Sequence, residues 1–207
     1  MTTPILPSSP TSMAASAPTA ARPSDPRMTS AERGELIKLL KDSQVEFVAA
    51  VGTLSDHQWN WKPSPERWSI GECAEHIMLA EAVIFGKAQT AMNASPTDEW
   101  EAATQDKTEM LMQIPARLGK AHAPQVVAPS GVLDRAEIMR RFAELRAASL
   151  KFVEETQLPV KAHLAEHPFP AFNLLNAYQW ALCLPLHQMR HDQQIEEVKA
   201  TPGFPAK

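Results

Sequence analysis

The chain has little cysteine: two residues in 207, Cys73 and Cys183, 110 positions apart. That excludes a disulfide framework and any CxxC metal or redox pair. The simplest reading is two buried free thiols in a reducing cytosol. There is no excess of positive charge either. Twenty Lys and Arg stand against 24 Asp and Glu, a net charge of −4. A phosphate backbone needs a basic surface, so nucleic acid is not an expected partner. No apolar run reaches the roughly 18 residues that span a bilayer, so no membrane segment is expected. No stretch alternates apolar and polar residues as a strand would, and no internal repeat is present. The start of the chain lacks the basic residues and apolar core of a signal peptide. The expected location is cytoplasmic.

Apolar residues make up 44% of the chain, ordinary for a globular protein. They are unevenly placed. The first 27 residues hold six of the 18 prolines and no glycine, with many Ala, Ser and Thr. They show no periodic apolar face, so 1–27 reads as a disordered tail. The domain is then 28–200, with 201–207 a short C-terminal tail.

Helical periodicity marks four long segments. The first runs from about Ser30, its expected N-cap, to Leu54, with Leu36, Leu39, Leu40, Phe47, Val51 and Leu54 on one face. A loop with Trp59, Trp61 and Trp68 follows, and three tryptophans need burial, so this loop should cover one end of the fold. The second helix starts at Ser69, where Ser69-Ile70-Gly71-Glu72 spells a capping box, and runs to about Met92. A short helix is expected over Asp98–Ile114. The third long helix begins near Asp134, with Glu137 three residues on, and carries Ile138, Phe142, Leu145, Phe152 and Val153. A loop from Pro159 to Pro170 leads to the fourth, Asn173–Lys199. Four amphipathic helices of this length predict an all-α, four-helix bundle.

Chemistry concentrates in three histidines. His187 and His191 stand four apart on the last helix, so both imidazoles can reach one point in space. The residues between them, Gln188-Met189-Arg190, lack the glutamate of a zincin, so a metalloprotease would have no general base. His76 lies inside the second helix on a face with Glu72, Cys73, Ala80 and Val83. His187 and His191 share theirs with Asn176, Trp180, Cys183 and Gln194. Both faces are mostly apolar and should point inward. Three buried histidines need satisfying. A divalent metal would do so, neutral imidazole being a favoured ligand of zinc and nickel. Three separate hydrogen bonds to carbonyls or water would do so equally well, and on chemistry alone both readings stay open.

The stretch from Trp68 to Ile77, Trp-Ser-Ile-Gly-Glu-Cys-Ala-Glu-His-Ile, resembles the W-S-(I)-x-E-x-x-x-H signature of the DinB-like family of bundle metalloproteins. His167-Pro168, Tyr178-Gln179-Trp180 and His187-x-x-Arg190-His191-x-x-Gln194-Ile195-x-x-Val198 resemble its terminal motif. The Pro129–Gly131 turn and an Arg146-bearing third helix are also similar. The resemblance implies an up-up-down-down bundle in which His76, His187 and His191 bind one divalent cation, zinc or nickel. It implies a metal-dependent enzyme, first a thiol S-transferase joining a low-molecular-weight thiol to small electrophiles. The alternatives are a metal-dependent hydrolase and a non-enzymatic, stress-linked metal-binding bundle that can form a homodimer. In relation to this site, Glu72 is expected to serve its cap, Gln194 to orient a ligand, Arg190 to pair with a carboxylate, and Cys73 and Cys183 to be inert. Trp61, Trp68 and Trp180 are expected in the core. Pro185, two residues before His187, removes a helix hydrogen bond and is expected to kink the last helix.

Overall fold

In the computed structural model, residues 24–117 and 123–206 are described. In chain order the helices are α1 (Ser30–Gly52), α2 (Asp56–Asn60), α3 (Ile70–Asn93), α4 (Trp100–Thr104), α5 (Lys107–Leu111), α6 (Arg135–Glu155) and α7 (Ala177–Lys199). Single turns of 3-10 helix lie at Ile114–Ala116 and Gln125–Val127. A small hairpin, β1 (Leu164–Glu166) with β2 (Leu174–Asn176), precedes α7. The four long helices, α1, α3, α6 and α7, form the bundle.

Capping chemistry explains where the long helices start. Thr29, not Ser30, caps α1: its hydroxyl accepts the Glu32 amide at 3.1 Å, and Glu32 accepts the Thr29 amide at 2.7 Å. Ser30 has Arg33 three residues on and cannot close such a box. Ser69 and Glu72 close the expected box at α3, at 3.1 and 2.7 Å. Asp134 caps α6 through the Glu137 amide, but Glu137 turns forward to Arg140 and Arg141 instead of back. The last helix starts later than Asn173. That residue adopts φ +53° in the turn between the two strands, and Asn176 caps α7 reciprocally with Gln179. The sequence expectation of no strands therefore fails at this hairpin. The expected helix over Asp98–Ile114 is broken into α4 and α5 by Asp106, at φ +62°.

The core consists of two apolar clusters, one at each end of the bundle. One joins Phe47 and Val51 of α1, Ile70, Cys73 and Ile77 of α3, Ile138 and Phe142 of α6, and Ile195 and Val198 of α7. The other joins Leu36 and Leu40, Phe85 and Ala88, Val153, and α7 from Ala177 to Leu186. Each fully buried Leu, Ile or Phe contributes on the order of 1.5–3 kcal/mol. The clusters also fix helix direction. The C-termini of α1 and α7 meet the N-termini of α3 and α6, so the helices run up-down-down-up. Up-up-down-down does not hold. The reason lies in the connections. Residues 53–69 stay at one end, where Trp59, Trp61 and Trp68 pack as expected. The described residues between α3 and α6, 94–117 and 123–134, carry the chain back along the bundle before α6 begins.

A polar layer separates the clusters. Arg146 is fully buried, forked onto Glu81 at 2.8 and 2.9 Å, and donates to Leu40 O, Ser43 and Gln188 at 2.6, 2.9 and 2.7 Å. One guanidinium thus touches all of α1, α3 and α7 from α6.

At the chain ends, the expected 1–27 tail lies outside the described residues up to position 23. Pro26 O accepts the Lys161 amide at 2.8 Å, and Met28 is buried. The segment after α7 folds back: Gln58 donates to Pro205 O at 3.0 Å, and Phe204 meets Trp61 edge-on at 5.5 Å.

Candidate metal centre

The second turn of α3 presents His76 and the middle of α7 presents His187 and His191, toward the bundle end where α3 begins. α7 continues as helix through Pro185, and the His187 and His191 ring centroids lie 4.5 Å apart. The three ring centroids are 4.4–5.1 Å apart. One nitrogen from each ring lies within 4.8 Å of those of the other two. His76 is 3% exposed, while His187 and His191 are partly open.

The hydrogen bonds outside this triangle set which nitrogens face inward. His76 Nδ1 donates to Val127 O at 2.7 Å, leaving Nε2 as a lone pair. His191 Nδ1 donates to Gln194 Oε1 at 3.0 Å, again leaving Nε2. These two Nε2 atoms face each other at 3.1 Å. Two lone pairs at that distance repel unless a cation sits with them. A proton is disfavoured: burial, ahead of any neighbouring charge, pushes His191 down to about 3, His187 well below its usual value, and His76 down. A metal ion fits. Nitrogens about 2.0–2.1 Å from a tetrahedral ion stand roughly 3.3 Å apart, near the 3.1 Å between His76 and His191, with the His187 nitrogen within 4.8 Å of both.

The Val127 bond is itself supported. Glu75, buried on α3 beside His76, accepts from Ser130 N and Oγ at 3.0 and 2.6 Å and from Gly131 N at 2.8 Å. This carboxylate pins the Pro129–Gly131 turn and so holds Val127 O over His76. The sequence named Gln194 for this supporting role. It gave no hint of the Val127 carbonyl, because a backbone oxygen leaves no mark in residue type. Trp68 packs against the core as expected and also reaches the site: its ring lies 4.9 Å from His76 and 6.4 Å from His191. Trp180 is core, stacked on His167 at 4.9 Å.

The other candidates are spoken for. Glu72 serves the α3 cap and pairs with Lys62 at 2.9 Å. Cys73 and Cys183 are buried, and burial pushes both thiols up to about 12, as inert thiols should be. Arg190 donates to Ile114 O at 3.4 Å. The described residues contain one grouping of three potential metal ligands, these histidines. None of their helices is long and apolar enough to cross a membrane.

A four-helix bundle with three convergent imidazoles is the donor set of a divalent-metal site in a helical scaffold. The chain belongs to the DinB superfamily, whose sequence profile matches residues 18–195. It is 26% identical over 167 residues to YuaE of Bacillus subtilis (strain 168), an uncharacterized protein, covering 79% of this chain and 96% of that one. Among solved structures it is similar to YfiT from Bacillus subtilis, with a TM-score of 0.50, 13% identity, and coverage of 86% of this chain and 91% of the other. YfiT is described as a "probable metal-dependent hydrolase with an unusual four-helix bundle topology".

Proposed function

We propose that the protein is a divalent-metal-dependent enzyme whose ion is held by His76, His187 and His191, and that it transfers a small thiol to an electrophile. The observation that carries the metal reading is the pair of inward lone pairs at 3.1 Å, each fixed by a donor bond on the far side of its ring. Three protein ligands leave a coordination position open to a substrate, the arrangement of catalytic sites. The bound ion would lower the pKa of a thiol or water placed there. The thiol reading rests on the absence of a spare base. Among the described residues, none of the carboxylates that neighbour the ligands in sequence is shown facing them as a free base. Glu72 is held by its cap and Glu75 by the Ser130–Gly131 turn. Asp192, whose Oδ2 accepts from Gln188 at 3.1 Å and whose buried Oδ1 has no partner among the described residues, lines the groove toward α1 with Glu46 and Met189. A thiol of pKa about 8.5 needs only acidification to react near neutral pH, whereas expelling an amine or alkoxide needs a proton donor as well.

The chain's own groups do the positioning. Val127 O and Gln194 fix the tautomers, and Trp68 walls one side. Metal-dependent hydrolysis is the second reading, favoured by the likeness to YfiT.

The test has two stages. Elemental analysis of purified protein should find close to one zinc or nickel per chain, lost in His76→Ala, His187→Ala and His191→Ala with helical circular dichroism retained. Loaded protein should then accelerate attack of a small thiol on a generic electrophile. Full metal content in the variants would overturn the site. Ester or amide hydrolysis without thiol transfer would establish the second reading.

A further inference from the structure

Between Ala123 and Leu133 the chain forms an irregular strap over α3, and Val127 is its one buried residue. Within the strap, Val127 N donates to Pro124 O, Ala128 N to Gln125 O, and Val132 N to Ser130 Oγ. Among the described residues, the hydrogen bonds that fasten the strap to the rest of the molecule all end on two neighbours of α3. His76 Nδ1 donates to Val127 O at 2.7 Å. Glu75 accepts from Ser130 N, Ser130 Oγ and Gly131 N at 3.0, 2.6 and 2.8 Å. A segment with so little burial depends on such bonds for its position.

One of these two anchors is a histidine of the metal centre. A divalent ion needs the Nε2 lone pair of His76, which leaves the ring proton on Nδ1. Val127 O can only accept, so of the two neutral tautomers it bonds that one alone. The opposite tautomer turns a proton into the site and a lone pair toward Val127 O, and the strap loses this anchor. Ion and strap therefore favour the same state of one ring. Glu75 is the second anchor, one residue away. Its hydrogen bonds all come from neutral donors, and its two oxygens hold the successive amides of Ser130 and Gly131 in a turn where Gly131 has φ +69°. We propose that Glu75 is a positioning residue that couples the strap to the ion. The ion fastens the strap through His76, and the strap, clamped by Glu75, fastens the ion. Such coupling is reciprocal, so each strengthens the other by the same factor. It rests on the three-histidine reading above, and it makes the strap a wall that tightens when the site is loaded.

The test measures zinc affinity and amide exchange in the full-length protein. Zinc is titrated against a chelating dye in wild type, E75Q, G131A and the double variant. Glutamine keeps the shape of Glu75 but presents an NH2 group to donors that need an oxygen. A Cβ on Gly131 meets nothing within 4 Å, so G131A strains the backbone of the turn alone. Each single variant should bind zinc about tenfold more weakly, the lower end of the range for groups that orient a ligand histidine. The double variant should lose no more than E75Q does, because both changes act through one contact. In wild type, zinc should slow hydrogen exchange at the Ser130 and Gly131 amides by about the same factor and leave α1 unchanged. In E75Q that slowing should disappear. Circular dichroism of the zinc-free proteins controls for the fold, and G131A carries the test if E75Q does not fold. Zinc bound equally by all four proteins, losses that add in full, or strap amides indifferent to zinc would each overturn the coupling and leave the metal reading standing. A wild type that binds no zinc overturns both.

Discussion

The ligand histidines of this protein are governed by groups one bond further out. Val127 O holds His76 and Gln194 Oε1 holds His191, each on the Nδ1 side. Removing such a partner frees the ring to rotate and to exchange tautomers, and in metal sites this typically lowers affinity roughly 10–100-fold. Gln194→Ala should therefore weaken zinc binding by about that factor in a competition titration with a chelating dye, with the melting temperature of the metal-free protein little changed. Unchanged zinc affinity would remove Gln194 from the supporting role. His167 illustrates a different residue-scale effect. Burial, helped by Lys87, depresses its pKa to about 4. The unfolded chain, with pKa near 6.5, takes up the proton first as pH falls. The stabilisation from a neutral His167 is thus complete above about pH 6.5 and is lost between there and pH 4. His167→Phe should keep the stacking on Trp180 but lack this proton uptake. The melting temperature gap between wild type and variant should shift in favour of the variant from pH 7 to pH 4.5. A gap independent of pH would show that His167 titrates alike in both states.

At the scale of elements, α3 carries the finest fit. A Cβ added to Gly71 would come within 2.8 Å of two carbons of the Trp59 indole. That ring is buried and lies under the Arg135 guanidinium at 4.8 Å, so it has little room to yield. Gly86, on the same helix, has nothing within 4 Å. Alanine in a helix is worth about 1 kcal/mol over glycine, whereas overpacking costs about 1–3 kcal/mol. Gly86→Ala should accordingly raise the melting temperature and Gly71→Ala lower it, in parallel thermal scans. A rise for both would mean that Trp59 moves freely. The same elements explain what sequence reading could reach. Long helices have strong periodicity, and the Ser69–Glu72 box and the three histidines follow from residue type and spacing. The β1–β2 hairpin was illegible because strands of three residues are too short to show alternation. The break at Asp106 was hidden because an aspartate tolerates a left-handed backbone without announcing it. Arg146 reads as a surface residue until four acceptors are found around it. Helix direction was lost because it depends on where long connections travel.

For the whole molecule, that buried arginine is the tie between helices. Its fork onto Glu81 and its bonds to Ser43, Leu40 O and Gln188 join four helices at mid-height. Breaking a buried pair from one side leaves an uncompensated charge and costs about 3–5 kcal/mol. Arg146→Met should lose about that much stability in urea unfolding. The double variant Arg146→Met, Glu81→Leu should regain most of it, since apolar replacement of both partners is often neutral. A single variant as stable as wild type would show that Glu81 finds another partner or a proton.

The placement of His76 on α3 and of His191 on α7, 115 positions later, has a topological consequence. An ion joining them closes a ring of chain that contains α4, α5, α6 and the hairpin, with α1 and both termini outside. The entropy of closing so long a ring in the unfolded state is large and rises only slowly with its length. Departures from the native state then fall into two kinds. Fraying of α1 leaves the ring intact, whereas separation of α3 from α7 requires the ion to leave first. The rate of that second route should be set by a chelator and not by temperature alone, and α1 should exchange its amide hydrogens ahead of the enclosed helices.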